Sequence, residues 1–210
     1  LNLNDFLDKT SSREDTLVLE TVRIPENIAI STNLSADQLF YDDYSFTNFK
    51  GIAQIENETL VLNNINTDLW GGTAFLEGTY NSASEQPQAD FTLSYSNVSV
   101  KNLLKYSNVL KTLVPVAENV TGNTFAKLSI LSTFNEGMKP DLATLNLSGL
   151  LNVVDVAVQE SRLLNVISQQ LNISKLDGKK LNNLVFDFDL KEGKLLVKPF
   201  NIYFNDALIR

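Results

Sequence analysis

Alternation of apolar and polar residues with a period of two runs through most of this chain, and it constrains the fold more than any other feature. In an extended strand, successive side chains point to opposite faces, so such a run builds a surface that is greasy on one side and wet on the other. Ala89, Phe91, Leu93 and Tyr95 alternate with Asp90, Thr92, Ser94 and Ser96. The same pattern recurs in Ile28, Ile30 and Leu34; in Ala74, Leu76 and Tyr80; in Ala126, Leu128, Ile130 and Phe134; and in Leu145, Leu147, Leu151 and Val153. Glu136-Gly137, Glu192-Gly193 and Asn205-Asp206 supply residues that reverse a chain easily, so hairpins and meanders are expected.

Two stretches depart from the alternation. Ser99 is placed to cap a helix whose apolar residues Val100, Leu103, Leu104 and Leu110 recur at helical spacing until Pro115, which predicts a helix over about 99 to 114. Leu163, Leu164, Ile167 and Leu171 predict a second helix near 161 to 171, ending before Asp177-Gly178. A faint internal echo is also legible: Asn48-Phe49 through Ile55, then Leu60, Leu62 and Ile65, aligns with Asn183-Leu184 through Leu190, then Leu195, Val197 and Phe200. The offset is 135 residues, from Ile55 to Leu190, and it suggests two related strand modules.

Composition removes several function classes. Asp and Glu outnumber Lys and Arg by 25 to 17, a net charge of -8, whereas a nucleic-acid binder needs clustered cations to displace counterions from phosphates. Cysteine and histidine are both absent, which removes thiol nucleophiles, disulfides, imidazole bases and the usual zinc or copper ligands. No apolar run approaches the roughly 20 residues that a membrane-spanning helix takes. Signatures for phosphate-cradling loops and for a serine nucleophile in a strand-helix turn are missing as well.

The acidic pairs support no catalytic dyad. Asp187 and Asp189 alternate with Phe186 and Phe188, which puts both acids on the watery side of a strand; Asp42-Asp43 reads as a polar turn lacking the ligand spacing of a calcium loop. Neither a metal site nor a cofactor is expected. Six Asn-x-Ser/Thr triplets, at Asn33, Asn57, Asn97, Asn119, Asn146 and Asn172, would imply surface glycans in a secreted eukaryotic chain, and are otherwise what a composition rich in these residues produces by chance. Trp70-Gly71-Gly72, holding the chain's single Trp, suits a tight turn with the indole packed on a neighbour, or an anchor at a membrane interface. The apolar stripes fit an ordinary core, or a trough that two short helices leave uncovered and that lipid chains fill; on the second reading Leu76, Phe91, Leu93, Tyr95, Leu128, Ile130, Phe186 and Phe188 are the lipid-facing candidates.

The order of Leu60-Val61-Leu62-Asn63-Asn64, Asp68-Leu69-Trp70-Gly71-Gly72, Leu76-Glu77-Gly78-Thr79-Tyr80, Asp90-Phe91-Thr92-Leu93, Leu113-Val114-Pro115-Val116-Ala117, Leu145-Asn146-Leu147-Ser148-Gly149 and Phe186 to Phe200 resembles the C-terminal region of AsmA-like envelope proteins, over most of the chain from Ile24 to Arg210. The resemblance implies a bacterial periplasmic domain behind an N-terminal membrane helix that this sequence lacks. It also implies roles in outer membrane assembly and phospholipid movement, and no catalytic residues. A start at Leu1 without Met and an end inside an alternating run add the expectation of a fragment. The combined expectation is a mainly β, β-rich α+β, non-catalytic protein: a polar lead-in and first strand over 1–23, then one domain over 24–210. That domain is a twisted antiparallel sheet curled into an open groove or half-barrel, with two short helices packed against it. Phospholipid or another acyl-chain lipid is the expected partner, together with other envelope proteins. The alternative is a scaffold that binds an envelope component by sheet-edge pairing.

Overall fold

The structure is a computed structural model that describes residues 2, 21–41, 44–106, 115–135, 139–158, 169, 180–199, 202–204 and 207–209. The strands are β1 (Ile30–Tyr41), β2 (Tyr44–Glu56), β3 (Thr59–Leu69), β4 (Gly72–Asn81), β5 (Gln88–Ser99), β6 (Val120–Asn135), β7 (Lys139–Pro140), β8 (Asn146–Val158), β9 (Lys180–Lys191), β10 (Lys194–Val197), β11 (Ile202–Phe204) and β12 (Ala207–Ile209). One helix, α1 (Val100–Tyr106), and a 3-10 turn (Pro115–Asn119) link β5 to β6. The chain is therefore mainly β, as the alternation predicts.

Nine strands make one antiparallel sheet in the order β1-β2-β3-β4-β5-β6-β8-β9-β10, with the two-residue β7 pairing off β6 and β11-β12 forming a separate hairpin. Strands adjacent in the chain are neighbours in the sheet, apart from the short β7 excursion. The sheet does not close: β1 and β10 stand at its two ends and do not pair with each other.

Tight hairpins follow from residues that accept a positive φ. Asn57 and Glu58 join β2 to β3 at φ 50° and 57°, Trp70 and Gly71 join β3 to β4 at 55° and 83°, and Glu192 and Gly193 join β9 to β10 at 50° and 70°. Two successive positive φ values mark the turn whose twist matches the strands it connects. Within the strands, Asn48, Asn64, Asn97 and Asp155 also take positive φ, at or beside shifts of pairing register. These are β-bulges, which bend a strand and increase its twist, and Asn and Asp bear the left-handed conformation better than most residues.

Two packed clusters lie at opposite ends of the strands, and Leu39, Ala53 and Ile65 are also buried on β1, β2 and β3. At one end, Ser99 Oγ accepts the Asn102 N–H at 3.1 Å, which is the expected N-cap, and α1 turns Val100, Leu103 and Leu104 inward. Val100 and Leu104 pack with Val153, Val156 and Leu184, while Ala117, Val120, Leu151 and Phe186 surround them. At the other end, the segment before β1 crosses the β4-β5 connection: the Arg23 guanidinium donates to the carbonyls of Ser82, Ser84 and Glu85, and Tyr80 Oη donates to the Val22 carbonyl at 2.8 Å. Phe134 meets Tyr80 edge-on at 5.7 Å.

Of the two expected helices, the first is present as α1 over seven residues, and its predicted continuation through 107–114 lies outside the described residues. The second falls in a stretch where only Gln169 is described, in helical conformation. The predicted lead-in and first strand over 1–23 fall largely outside as well, as do Asp42-Asp43 and Glu136-Gly137.

Gly78 has φ 144°, and a Cβ there would run into the Asp90 carbonyl and Phe91 of the adjacent strand. Gly193 has φ 70° with open space around it. Gly78→Ala is expected to cost about 3 kcal/mol, combining steric clash with a forbidden φ, whereas Gly193→Ala should cost about 1 kcal/mol. Urea unfolding midpoints at constant m-value test the ranking.

Candidate functional site

Residues directly opposite in an antiparallel pair share a face, so the pairing register fixes which side chains lie together. Leu76 stands opposite Leu93, Leu93 opposite Leu128, Leu128 opposite Gly149, and Gly149 opposite Phe188. A second row runs Gly78, Phe91, Ile130, Leu147 and Leu190, and a third runs Ala74, Tyr95, Ala126, Leu151 and Phe186. All eight candidates named from the sequence therefore sit on one face, across β4, β5, β6 and β9. At about 4.8 Å between strands, each row spans about 19 Å.

The face continues outward. Leu62 is opposite Gly78, Ile65 opposite Leu76, and Ala53 opposite Leu62, which carries it onto β3 and β2. Each of the eight candidates is neither fully buried nor fully exposed, in contrast to Val98, Val156 and Leu190, which are almost completely covered. Gly149 leaves a notch between Leu128 and Phe188, and Gly78 leaves another between Leu62 and Phe91. A Cβ on Gly149 would press on the Lys127 carbonyl and the Leu128 side chain, so the notch is also required for close strand approach.

The opposite face is mainly polar, with Leu150 and Val185 exposed on it as well. Lys127, Ser129, Ser148, Asp187 and Asp189 lie on it, and Lys198 Nζ bridges to Asp187 Oδ1 at 2.8 Å and to Asp189 Oδ2 at 4.0 Å. The hydrogen bond to Asp187, helped by the charges of both acids, raises the Lys198 pKa. Asp187 and Asp189 are thus side by side on the solvated face, tied to one exposed ammonium. Hollows of about 470 and 570 Å³ also open on this side, the first beside Trp70-Gly71-Gly72 and lined by Ser45, Thr47, Asp68, Thr73 and Asn97, the second beside Ser31, Gln54 and Glu56. Among the described residues, no three carboxylates gather closely enough to hold a metal ion, and no helix is long and apolar enough to cross a membrane.

The Trp70 indole stacks on Tyr106 at 5.5 Å and 6°, with Tyr44 tilted against it at 5.9 Å, and Asn102 Nδ2 donates to the Trp70 carbonyl at 2.7 Å. The Trp-Gly-Gly step is therefore a tight turn with its indole packed on neighbours, and it ties the β3–β4 hairpin to α1. Tyr44, Asn102 and Tyr106 have no legible role in the sequence, because residues more than 25 positions from Trp70 carry no local mark of the contact. Leu147 and Leu151 were legible as one strand face, yet only the strand order brings Leu147 between Ile130 and Leu190 and Leu151 between Ala126 and Phe186.

Burial raises the Tyr95 pKa above 10.0, partly offset by a side-chain hydrogen bond with Thr124, and burial likewise raises Tyr80 against the opposing charge of Arg23. A native pKa above the unfolded value means that the folded chain holds the proton more tightly. The stabilisation is complete below pH 10 and is lost as pH rises through the native values. Stability is expected to fall on alkaline titration above about pH 10, less steeply in Tyr95→Phe, as followed by urea midpoints at successive pH values. No protein-family model, no curated protein and no solved structure matches the chain.

Proposed function

We propose that this chain is a non-catalytic, lipid-handling domain of a bacterial envelope protein, acting in the periplasm in outer membrane assembly and phospholipid transport. The apolar face forms the wall of an open groove along which acyl chains lie. The observation that carries the reading is the set of three aligned rows, Leu76 to Phe188, Gly78 to Leu190 and Ala74 to Phe186, whose central members keep part of their surface open. A hydrocarbon core about 30 Å thick holds two leaflets, so one acyl chain reaches about 15 Å and fits within the 19 Å that a row spans.

The energetics are adequate without any charged pocket. Each CH₂ group removed from water contributes about 0.8 kcal/mol, so a chain partly covered by the face binds while its headgroup stays in water. Selection among headgroups is correspondingly weak. The resemblance to AsmA-like proteins supports the periplasmic setting and a membrane anchor elsewhere in the full-length protein. The absence of imidazole and thiol groups from the sequence supports a binding role over a catalytic one. A second reading, a scaffold for another envelope protein, is favoured by β1 and β10 standing at the ends of the sheet, where among the described residues only the single Asn2–Phe40 bridge adds to β1 and an extended strand could be added.

A fluorescent fatty acid is expected to bind the purified chain, and Leu93→Asp, in the middle of the first row, should weaken binding at least tenfold. Ser129→Asp, exposed on the polar face, should leave it unchanged. Equal binding by both variants, or no uptake by the parent chain, would rule out the groove.

A further inference from the structure

Residues 21–29 lead into β1 outside any strand, with Val22, Arg23, Pro25, Glu26 and Asn27 exposed. Their attachment to the sheet is polar and local. The Arg23 guanidinium donates to the carbonyls of Ser82, Ser84 and Glu85 in the β4–β5 connection, and the Ile24 N–H donates to Ser82 Oγ at 2.9 Å. Ser82 is 1 % exposed and fixed in turn, because its N–H and its Oγ both donate to the Glu58 carbonyl, at 2.9 and 3.1 Å. Tyr80 Oη adds its bond to the Val22 carbonyl at 2.8 Å. The dock is thus built from the β2–β3 and β4–β5 connections, whereas the segment that docks is gripped mainly by one side chain.

Pairing register gives the route of the segment. Tyr80 is opposite Leu60, Leu60 opposite Ile55, and Ile55 opposite Ile30, so these four residues form a row on the apolar face, next to the row of Gly78 and Phe91. The segment meets the hydroxyl tip of Tyr80 at Val22 and enters β1 at Ile30. Its two ends therefore stand at the two ends of that row, with Leu60 and Ile55 between them. Three strand spacings separate the ends, about 14 Å, and eight residues reach about 27 Å, so the chain spans the gap with slack.

We propose that residues 21–29 are a detachable strap along one margin of the apolar face, with Arg23 as its latch. Closed, the strap screens Leu60 and Tyr80; released, it opens that margin to an incoming acyl chain. The gate rests on the lipid-handling reading for what enters, and on the hydrogen bonds above for what moves. Hydrogen bonds at an exposed site exchange with water at small net cost, and a segment with few apolar contacts opens without unfolding the strands beneath it. Arginine suits a latch, since its planar fork of five donors engages several carbonyls at once and never loses its charge. At the other end of the strands α1 buries Val100, Leu103 and Leu104, so the strap margin is the one that opens more easily.

Because the chain has no cysteine, Leu60→Cys supplies a single thiol under the strap and Ser129→Cys one on the polar face. In the full chain, alkylation of the Leu60→Cys thiol by a bulky maleimide is expected to speed at least tenfold when Arg23→Ala is added. Tyr80→Phe, which keeps the ring against Phe134 and removes only the bond to Val22, should speed it severalfold. The Ser129→Cys thiol should respond to neither change. Amide hydrogen exchange at Ile24 is expected to quicken in both variants while β5 and β6 stay protected, which separates release of the strap from unfolding. With the fluorescent fatty acid, Arg23→Ala should raise association and dissociation rates alike and hold affinity within threefold. Weaker affinity through faster dissociation alone would make Arg23 a lipid contact and overturn the gate. Thiol rates that ignore both variants would overturn the strap whether or not lipid binds. A parent chain that takes up no fatty acid, with a thiol that does respond, would strike the lipid reading and uphold the strap.

Discussion

Side chains opposite one another across an antiparallel pair must face the same way, and that constraint organises this protein. Repeated over nine strands, it turns local alternation into a continuous surface: Leu62, Gly78, Phe91, Ile130, Leu147 and Leu190 form one line across six strands although they come from positions scattered over most of the chain. The backbone ladder holds that surface together. A second full layer is not needed to define it, because each strand is fixed by hydrogen bonds to its neighbours.

Among the described residues, the packed clusters lie toward opposite ends of the strands. α1 and the 3-10 turn seal one end through Val100, Leu104, Val153, Val156 and Leu184; the Arg23 segment, Tyr80 and Phe134 seal the other. Between them, the middle of the apolar face retains partial exposure at Leu76, Phe91, Leu93, Leu128, Ile130 and Phe188. An incompletely covered apolar surface is costly in water, and that cost is the physical ground of the proposed lipid binding. The polar face behaves oppositely, with its carboxylates solvated or tied to Lys198.

Comparison of the β2–β3 and β9–β10 hairpins separates what the architecture needs from what is particular to one place. Both tolerate different turn residues, and both keep register across the Asn57-Glu58 and Glu192-Gly193 reversals. Trp70, by contrast, holds a positive φ that a bulky side chain disfavours. The stack on Tyr106 and the Asn102 hydrogen bond offset that strain, and they attach α1 to the β3–β4 turn.

Local chemistry alone determined the strands, the Ser99-capped helix, the turns and the one-sided distribution of apolar residues, since alternation, capping and positive-φ preference act over a few residues. The eight candidate residues were legible for the same reason. The faint echo at 135 residues was visible in the alternation, but only three aligned identities, at Asn48, Leu60 and Asn66 with their counterparts Asn183, Leu195 and Asn201, support it over that stretch. Tertiary structure decided which strands are neighbours, that Leu147 and Leu151 complete the face, that Trp70 meets Tyr106, and that the sheet stays open. Those outcomes depend on pairings between distant segments, and a strand's pattern specifies which face it buries without naming its partner.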